Sequence, residues 1–242
     1  MTDPFLAGET LRFFERFLPP APARVLVVGG DDPGVAASLA SRGYAVEAVD
    51  EGIEPSSDPG GDLVRWVPAD LLHLDATETY DVVAFAWALH RASPPSQALD
   101  RARSLLEPGG LLLAEEVAFD RVNVHTARWL YDLEAVLVAS EVLAPPEARF
   151  AQEARPLLRW RQEHAAEPPL QSGHDMLAAA RDRFALEAVE EAPYLYRHLV
   201  GRLEPSARGA RVLRRLYELE SRLVRERDIA AAGLRMAGRP LG

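Results

Sequence analysis

The sequence contains no cysteine and no lysine, and all 27 of its basic Lys/Arg residues are arginine. Disulfides, thiolate nucleophiles and zinc–thiolate sites are therefore excluded, as is Schiff-base chemistry on a lysine. No apolar run approaches the ~20 residues of a membrane span. The first ten residues have no basic segment before an apolar run, so the sequence predicts a cytosolic protein.

The charge balance is acidic, with a formal net charge of −10 over 242 residues. This balance argues against long contacts with nucleic acid or with an anionic membrane, which need basic surfaces. The six histidines form no His-x-x-x-His pair, so no metal site is predicted. The length suits one large α/β domain. The predicted partner is a small-molecule substrate, and the sequence gives no indication of oligomeric state.

The most informative stretch covers residues 24–50 and has the pattern of a strand, a turn, a helix and a strand. Residues 25–28 are apolar and predict a short buried strand, after which Gly29 and Gly30 permit a sharp turn. A second apolar strand over residues 46–49 ends on Asp50. In an open parallel sheet, an acid at this position is placed to bind the hydroxyls of a ribose.

The turn departs from the pattern that binds dinucleotides, because Asp31 stands where a glycine approaches the pyrophosphate. A carboxylate there would repel a diphosphate but not S-adenosylmethionine, which carries a sulfonium, an ammonium and no phosphate. A structural interpretation stays open beside this one. Asp32 is a suitable N-cap and Pro33 a suitable first residue of the following helix.

At this stretch the sequence resembles the class I S-adenosylmethionine-dependent methyltransferases, whose first motif is acid-x-Gly-x-Gly-x-Gly. Gly29 and the terminal acid Asp50 are kept, whereas Val27, Asp31 and Pro33 depart from the motif. The resemblance implies a Rossmann-like α/β sheet of seven strands, the last of them antiparallel. It divides the single domain into a core of residues 1–117 and 184–242 and a helical lid over residues 118–183.

Two further segments carry the resemblance. A Leu-His pair that includes His90 follows the predicted fourth strand, and a Leu-x-Pro-Gly-Gly signature ends at Gly110. The resemblance implies cofactor contacts at the strand ends, from Gly29, Gly30, Asp31, Asp50, Asp70, Leu71, Phe85 and Ala86. For Asp70, the alternative of an acid in a loop or capping a turn stays open.

His90 is the best candidate for a catalytic base, because imidazole titrates near neutral pH and the end of strand four borders the transfer site in this fold. The alternative is a histidine that only hydrogen-bonds to the lid. The weaker candidates for a base are Glu116, His164, Tyr194 and Tyr196.

The predicted lid and the segment after strand six are rich in aromatic and hydrogen-bonding side chains. An insertion at the carboxyl ends of the strands covers the substrate in such folds. The predicted substrate-binding residues are Phe119, Trp129, Trp160, His164, Tyr194 and Tyr196. Alternatively, these side chains form the small core of the insertion.

Three functions are compatible with these patterns. The first is methyl transfer from S-adenosylmethionine to a small molecule. The second is a methyltransferase-fold binding or partner protein without activity, which the residues Val27, Asp31 and Pro33 favour. The third, a nicotinamide-dependent oxidoreductase, lacks both the glycine pattern and a Tyr/Ser catalytic set.

Overall fold

The computed structural model describes residues 4–29, 33–52, 63–74, 78–151, 153–166 and 169–242. The strands are β1 Arg24–Val28, β2 Ala45–Val49, β3 Val64–Val67, β4 Tyr80–Ala86, β5 Leu106–Val117, β6 Phe184–Ala192 and β7 Gly233–Pro240. The helices are α1 Pro4–Phe14, α2 Pro33–Ser41, α3 Pro95–Leu105, α4 Val124–Ala139, α5 Ala148–Ala151, α6 Pro156–Glu163, α7 Gly173–Arg181, α8 Leu195–Val200 and α9 Ala207–Glu226.

The seven strands in the described ranges form one sheet in the order β3-β2-β1-β4-β5-β7-β6. The first five strands pair in parallel. Strand β7 runs against β6, because Gly233 lies beside the Ala192 carbonyl and Gly238 beside that of Ala185. This is the predicted class I methyltransferase sheet with an antiparallel last strand, and the predicted fold class is confirmed.

The register of the central strands places the functional loops next to each other. Strand β1 is apolar and almost wholly buried, as a central parallel strand must be. Val28 pairs with Val49, so the residues that follow them, Gly29 and Asp50, leave the sheet side by side. The Gly29 amide confirms this arrangement by donating to the Val49 carbonyl at 3.0 Å.

The chain divides into two compact units. The first contains residues 1–116, 171–190 and 234–242, and holds most of the sheet with helices α1, α2, α3 and α7. The second contains residues 117–170 and 191–233, and holds helices α4, α5, α6, α8 and α9. These boundaries differ from those predicted for the lid, since α7 groups with the sheet and α9 with the other helices.

Two local patterns predict elements that the structure places differently. Apolar residues at Leu11, Phe14 and Leu18 predict a helix over residues 9–18, whereas α1 spans Pro4–Phe14. The Pro-Gly-Gly stretch predicts a turn at residues 107–110, but these residues lie within β5 and form a bulge opposite Asp81 between two paired positions. Turn-forming residues predict a loop over residues 51–62, most of which lies outside the described residues.

No helix in the described part of the chain is both long enough and apolar enough to span a bilayer.

Two helical glycines differ in their surroundings and provide a test of the packing. A Cβ at Gly8 would meet no atom within 4 Å, whereas one at Gly209 would overlap the backbone carbonyl of Glu204. We expect Gly8→Ala to stabilise the protein by about 0.5–1 kcal/mol, because alanine favours helix. Gly209→Ala should destabilise it by about 1–3 kcal/mol through the clash. Thermal unfolding of both variants gives the comparison, and equal shifts would contradict the packing of α9.

Candidate active site

A cavity of about 580 Å³ opens where strands β1, β2 and β4 end. Parallel strands present their carboxyl ends and the following loops at one edge, which is where ligands bind in open α/β sheets. All the lining residues belong to the first unit. The cavity is lined by Val28, Gly29, Val49, Asp50, Glu51, Gly52, Ala69, Asp70, Leu71, Leu72, Phe85, Ala88, Arg91, Ala92, Ser93, Pro94 and Ala98.

Gly29 occupies a position that only glycine fits. Its φ is +113°, and a Cβ there would lie 2.5 Å from the Ala86 carbonyl oxygen and 3.1 Å from Ala88 Cβ. A side chain would therefore force β1 and β4 apart at the cavity wall. The predicted turn after β1 is thus required by the close approach of two strands as well as by the bend itself.

The charged residues of the cavity wall are mostly acidic. Among the described residues that line the cavity, Asp50, Glu51 and Asp70 contribute three carboxylates, and Arg91 is the one basic side chain. Asp50 Oδ1 accepts the Gly52 amide at 2.8 Å, which holds the carboxylate at the end of β2. The wall therefore favours a ligand with positive charge over one that carries two phosphates.

Asp70 has a local structural role beside its predicted cofactor role. Its Oδ1 accepts the Leu72 amide at 3.1 Å and caps the 3-10 turn Leu71–His73. Its Oδ2 lies 3.4 Å from His73 Nδ1. Both Asp70 and Leu71 nevertheless line the cavity, so the two interpretations of this acid are compatible.

His90 pairs with a buried carboxylate. Its Nδ1 lies 2.6 Å from Glu116 Oε2, and His90 and Glu116 are both almost inaccessible to solvent. Glu116 also accepts the backbone amides of Ala88, Leu89 and His90 at 2.8–3.2 Å. One carboxylate therefore holds both the 3-10 turn that carries His90 and the imidazole itself.

The turn that carries His90 joins β4 to the cavity wall. Trp87, between β4 and this turn, has a φ of 64°, which is a strained conformation for a bulky residue and costs about 1–3 kcal/mol. Ala88 and Arg91 line the cavity, whereas His90 lies between them and is not among the lining residues. The backbone strain thus occurs where the strand end meets the candidate base.

In the second unit, three of the predicted substrate-binding residues come together. The rings of Trp160 and His164 are 3.8 Å apart, and Phe119 stacks on His164 with centroids at 6.2 Å. The Trp160 indole donates to the Phe119 carbonyl at 2.8 Å. His198, which was not among the predicted site residues, completes the cluster at 5.2 Å from both Trp160 and His164.

A buried carboxylate supports this aromatic cluster. Glu163 accepts hydrogen bonds from Tyr131 at 2.7 Å and Arg159 at 2.8 Å, and lies 3.0 Å from His198 Nε2. Burial raises the pKa of Glu163, but the bonds from His198 and Tyr131 outweigh this and lower it to about 2. Glu163 is therefore ionised at neutral pH.

The other three predicted substrate-binding residues lie in a separate helical cluster of the same unit. Trp129 and Tyr196 border one tight space between α4, α8 and α9. Tyr194 precedes α8, and its amide donates to Glu220 Oε1 at 2.6 Å. Glu220 also accepts the amides of Leu195 and Tyr196 at 2.8 Å, so it anchors the start of α8.

Five of the eight predicted cofactor-binding residues line the same cavity: Gly29, Asp50, Asp70, Leu71 and Phe85. Ala86 is fully buried and is not in the lining, although its carbonyl limits the space at Gly29. Gly30 and Asp31 lie outside the described residues. The sequence analysis did not select Arg91 and ranked Glu116 below His90, because neither residue occupies a glycine or acid position of the family motif.

Across the described residues, no cluster of His, Asp and Glu could hold a metal ion.

The sequence matches the family described as "Methyltransferase domain" over residues 3–180. This is most of the chain, and the chain belongs to this family. A curated relative, the highly reducing polyketide synthase pkhB of Emericella nidulans, is 33% identical over 126 residues, which are 42% of this chain. The match spans only 5% of the length of that synthase.

Solved methyltransferases share the fold at low identity. An S-adenosylmethionine-dependent methyltransferase of Mesorhizobium loti is 15% identical over 93% of this chain and 95% of its own, with a TM-score of 0.56. The geranyl diphosphate C-methyltransferase of Streptomyces coelicolor A3(2), solved with S-adenosyl-L-homocysteine, is 12% identical over 97% of this chain and 78% of its own, with a TM-score of 0.55. NodS of Bradyrhizobium japonicum WM9, solved with the same ligand, is 12% identical over 99% of this chain and 89% of its own, with a TM-score of 0.52.

Family and fold together show that this chain is a member of the methyltransferase-domain family and has the class I methyltransferase fold. The predicted family and fold are confirmed, the family match supports the predicted enzyme class and cofactor, and the alternative of an inactive binding protein is not favoured. The roles of the individual site residues stay predictions.

Glu220 provides a pH test of the second unit. Burial raises the pKa of Glu220 from 4.5 to about 7, against three backbone amides that lower it. Because the folded pKa lies above the unfolded one, ionisation opposes folding. Stability should fall by up to about 3 kcal/mol as the pH rises from 4.5 to 7, and change little above that range. Denaturant unfolding at several pH values measures this dependence.

Glu220→Gln should remove this part of the dependence, because the amide oxygen still accepts hydrogen bonds but does not titrate. The matched control is Glu218→Gln on the exposed face of α9, which should keep the wild-type slope. If Glu220→Gln and the wild type have the same slope, Glu220 does not titrate in this range.

Proposed function

We propose that the cavity at the ends of β1, β2 and β4 holds S-adenosylmethionine, and that His90, positioned by Glu116, accepts a proton from a small-molecule acceptor. The observation that carries this proposal is the paired geometry of the site. The cavity with the acidic wall and the buried His90–Glu116 pair meet at one short turn, Leu89–Arg91. The predicted cytosolic location stays a prediction.

The cavity suits the cofactor in charge and in position. S-adenosylmethionine supplies an electrophilic methyl group on a positive sulfur when it is bound. Three wall carboxylates balance its two cationic groups, and the lining residue Arg91 has the charge that suits its single carboxylate. Asp50 stands at the end of β2, where an acid binds ribose hydroxyls in this class of sheet. A nicotinamide dinucleotide would bring two phosphates to the same acidic wall.

The hydrogen bonds at Glu116 select one form of His90. The carboxylate accepts and cannot donate when ionised, so the Nδ1 that faces it carries the proton. The other nitrogen, Nε2, then has the lone pair that a general base requires. Glu116 also stabilises the imidazolium that forms once the proton has been accepted, as an orienting acid does in a catalytic triad.

A base is useful only for an acceptor that is protonated on the atom to be methylated. We therefore propose an acceptor with an acidic O–H, N–H or C–H group. One structural neighbour, the geranyl diphosphate C-methyltransferase, is named for methylation at carbon.

Asp50 tests the cofactor site. We expect Asp50→Ala to weaken S-adenosylmethionine binding by about tenfold or more, because a charged hydrogen bond contributes about 1.5–3 kcal/mol. Wild-type protein at one hundred times the dissociation constant should gain about 2.7 kcal/mol of stability from S-adenosylmethionine or S-adenosylhomocysteine. Thermal shift and isothermal titration measure both effects.

Two further variants and one further ligand serve as controls for this test. Asp50→Asn keeps an acceptor for the Gly52 amide and separates the loss of charge from a change in the loop. The exposed Asp132→Ala should leave cofactor binding unchanged. A stability gain with NAD but not with either sulfur ligand would refute the proposed cofactor site.

His90 and Glu116 test the chemical step. S-adenosylhomocysteine release is first screened over phenols, amines, carboxylic acids and β-keto thioesters to find a working acceptor. We expect His90→Asn and Glu116→Gln each to lower kcat by about 10²-fold or more, with cofactor affinity within about threefold of wild type. In Glu116→Gln, an amide that faces Nδ1 would favour the opposite tautomer and remove the base at Nε2.

The double variant and the choice of acceptor distinguish a base from a structural histidine. The two losses should not add, because both act on one proton acceptor. Acceptors of lower pKa should recover part of the rate in the variants, since they lose the proton without help. Full wild-type rates in His90→Asn with every acceptor would exclude the base role while leaving the cofactor site intact.

A further inference from the structure

Helix α9 presents a basic surface on an acidic protein. Its 20 residues contain six arginines and three glutamates, although the whole chain carries a net charge of −10. All six arginines are exposed, whereas Glu220 is buried. We call these six residues the arginine face, which consists of Arg208, Arg211, Arg214, Arg215, Arg222 and Arg225.

The helical periodicity gathers these arginines on one side. At 3.6 residues per turn, the six positions fall within an arc of about 120° and extend for about 25 Å along the axis. Glu218 lies inside this arc and is paired to Arg215 at 2.5 Å, and Glu226 lies at its edge. The opposite side faces the interior, where Leu213, Leu216 and Glu220 are buried. The exposed arc therefore offers positive charge with no apolar surface.

Arginines elsewhere in the described chain are mostly paired with acids. Examples in which the arginine is exposed are the ion pairs Arg16–Glu190, Arg42–Glu15, Arg65–Glu47 and Arg239–Glu187. On the arginine face, Arg211, Arg222 and Arg225 have no acid within ion-pair distance among the described residues. Although the chain has more acids than bases, these three arginines have no ion-pair partner in the part of the chain that the structure describes. Their charge is available to a ligand outside the chain.

We propose that the arginine face of α9 docks an acidic helical segment of a partner protein. A helix with Glu or Asp at every third or fourth position presents a row of carboxylates with the same spacing as the arginines. Arginine also binds carboxylates with two parallel hydrogen bonds, which adds orientation to the charge attraction. The proposal is independent of the methyl-transfer site and extends beyond it.

The shape of the charged surface favours a short acidic segment over other polyanions. The arc is one helix long, and the rest of the second unit contains 11 acids and nine arginines, so a duplex or an anionic bilayer that extends past α9 gains no further net positive charge. A membrane-binding helix would also expose apolar side chains beside its basic ones. An acidic helix of about 20 residues ends where the arginine face ends.

The experiment uses the full chain and a fluorescein-labelled, end-capped 20-residue peptide with Glu at i, i+3 and i+4 positions on an alanine background. Binding is measured by fluorescence anisotropy at 50 mM and 200 mM salt. The test variant is Arg211→Glu/Arg222→Glu/Arg225→Glu. The matched control is Arg128→Glu/Arg161→Glu/Arg181→Glu, which makes the same charge change at exposed arginines outside α9.

We expect the test variant to raise the Kd of the peptide by about tenfold or more at 50 mM salt, and the control to change it by less than about threefold. The difference should shrink at 200 mM salt because exposed charges are screened. Circular dichroism melting shows whether α9 remains folded in both variants. Equal effects of the two variants, or no binding by the wild type at 50 mM salt, would overturn the proposal.

Two further probes address the other possible occupants. A 20-base-pair duplex and phosphatidylserine vesicles are titrated under the same conditions. If either binds more tightly than the peptide and this binding is lost in the test variant, the acidic helix is the wrong partner and the proposal is overturned. Light scattering measures self-association. A dimer that the test variant abolishes and the control keeps would assign the arginine face to a second copy of this chain.

Discussion

The candidate site depends on one buried carboxylate that gathers three consecutive backbone amides. Glu116, near the end of β5, accepts the amides of Ala88, Leu89 and His90 and also faces the His90 ring. A buried charge is costly unless donors surround it, and here the donors come from the turn that ends β4. The same bonds therefore satisfy the carboxylate, shape the turn and orient the candidate base.

The second unit uses the same arrangement at the start of α8. Glu220 accepts the amides of Tyr194, Leu195 and Tyr196, as an anion does at the N-terminus of a helix. The two carboxylates differ in what they contact besides these amides. Glu116 also faces the imidazole of His90. For Glu220, burial outweighs its three amide donors and raises its pKa to about 7. The same arrangement therefore positions the candidate base in the first unit and anchors a helix in the second.

Much of the fold could be predicted because its patterns are local. Apolar runs marked β1, β2 and β4, and Gly29 marked the turn where the chain leaves the sheet. Five predicted cofactor residues line one cavity because parallel strands bring their ends to one edge. The bulge at residues 107–110 was not predicted, because a Pro-Gly-Gly stretch is typical of a turn and only pairing with β4 places it in a strand.

The sequence alone determined the fold class, the family and the position of the ligand edge, because periodicity, glycines and terminal acids act over a few neighbouring residues. Only the tertiary structure decided that Glu116 faces His90, that His198 joins the cluster of Trp160 and His164, and that Arg211, Arg222 and Arg225 have no acid within ion-pair distance among the described residues. These relations join residues that are far apart in the chain. They depend on which side chains come into contact when the helices and strands pack, and no local sequence pattern encodes that outcome.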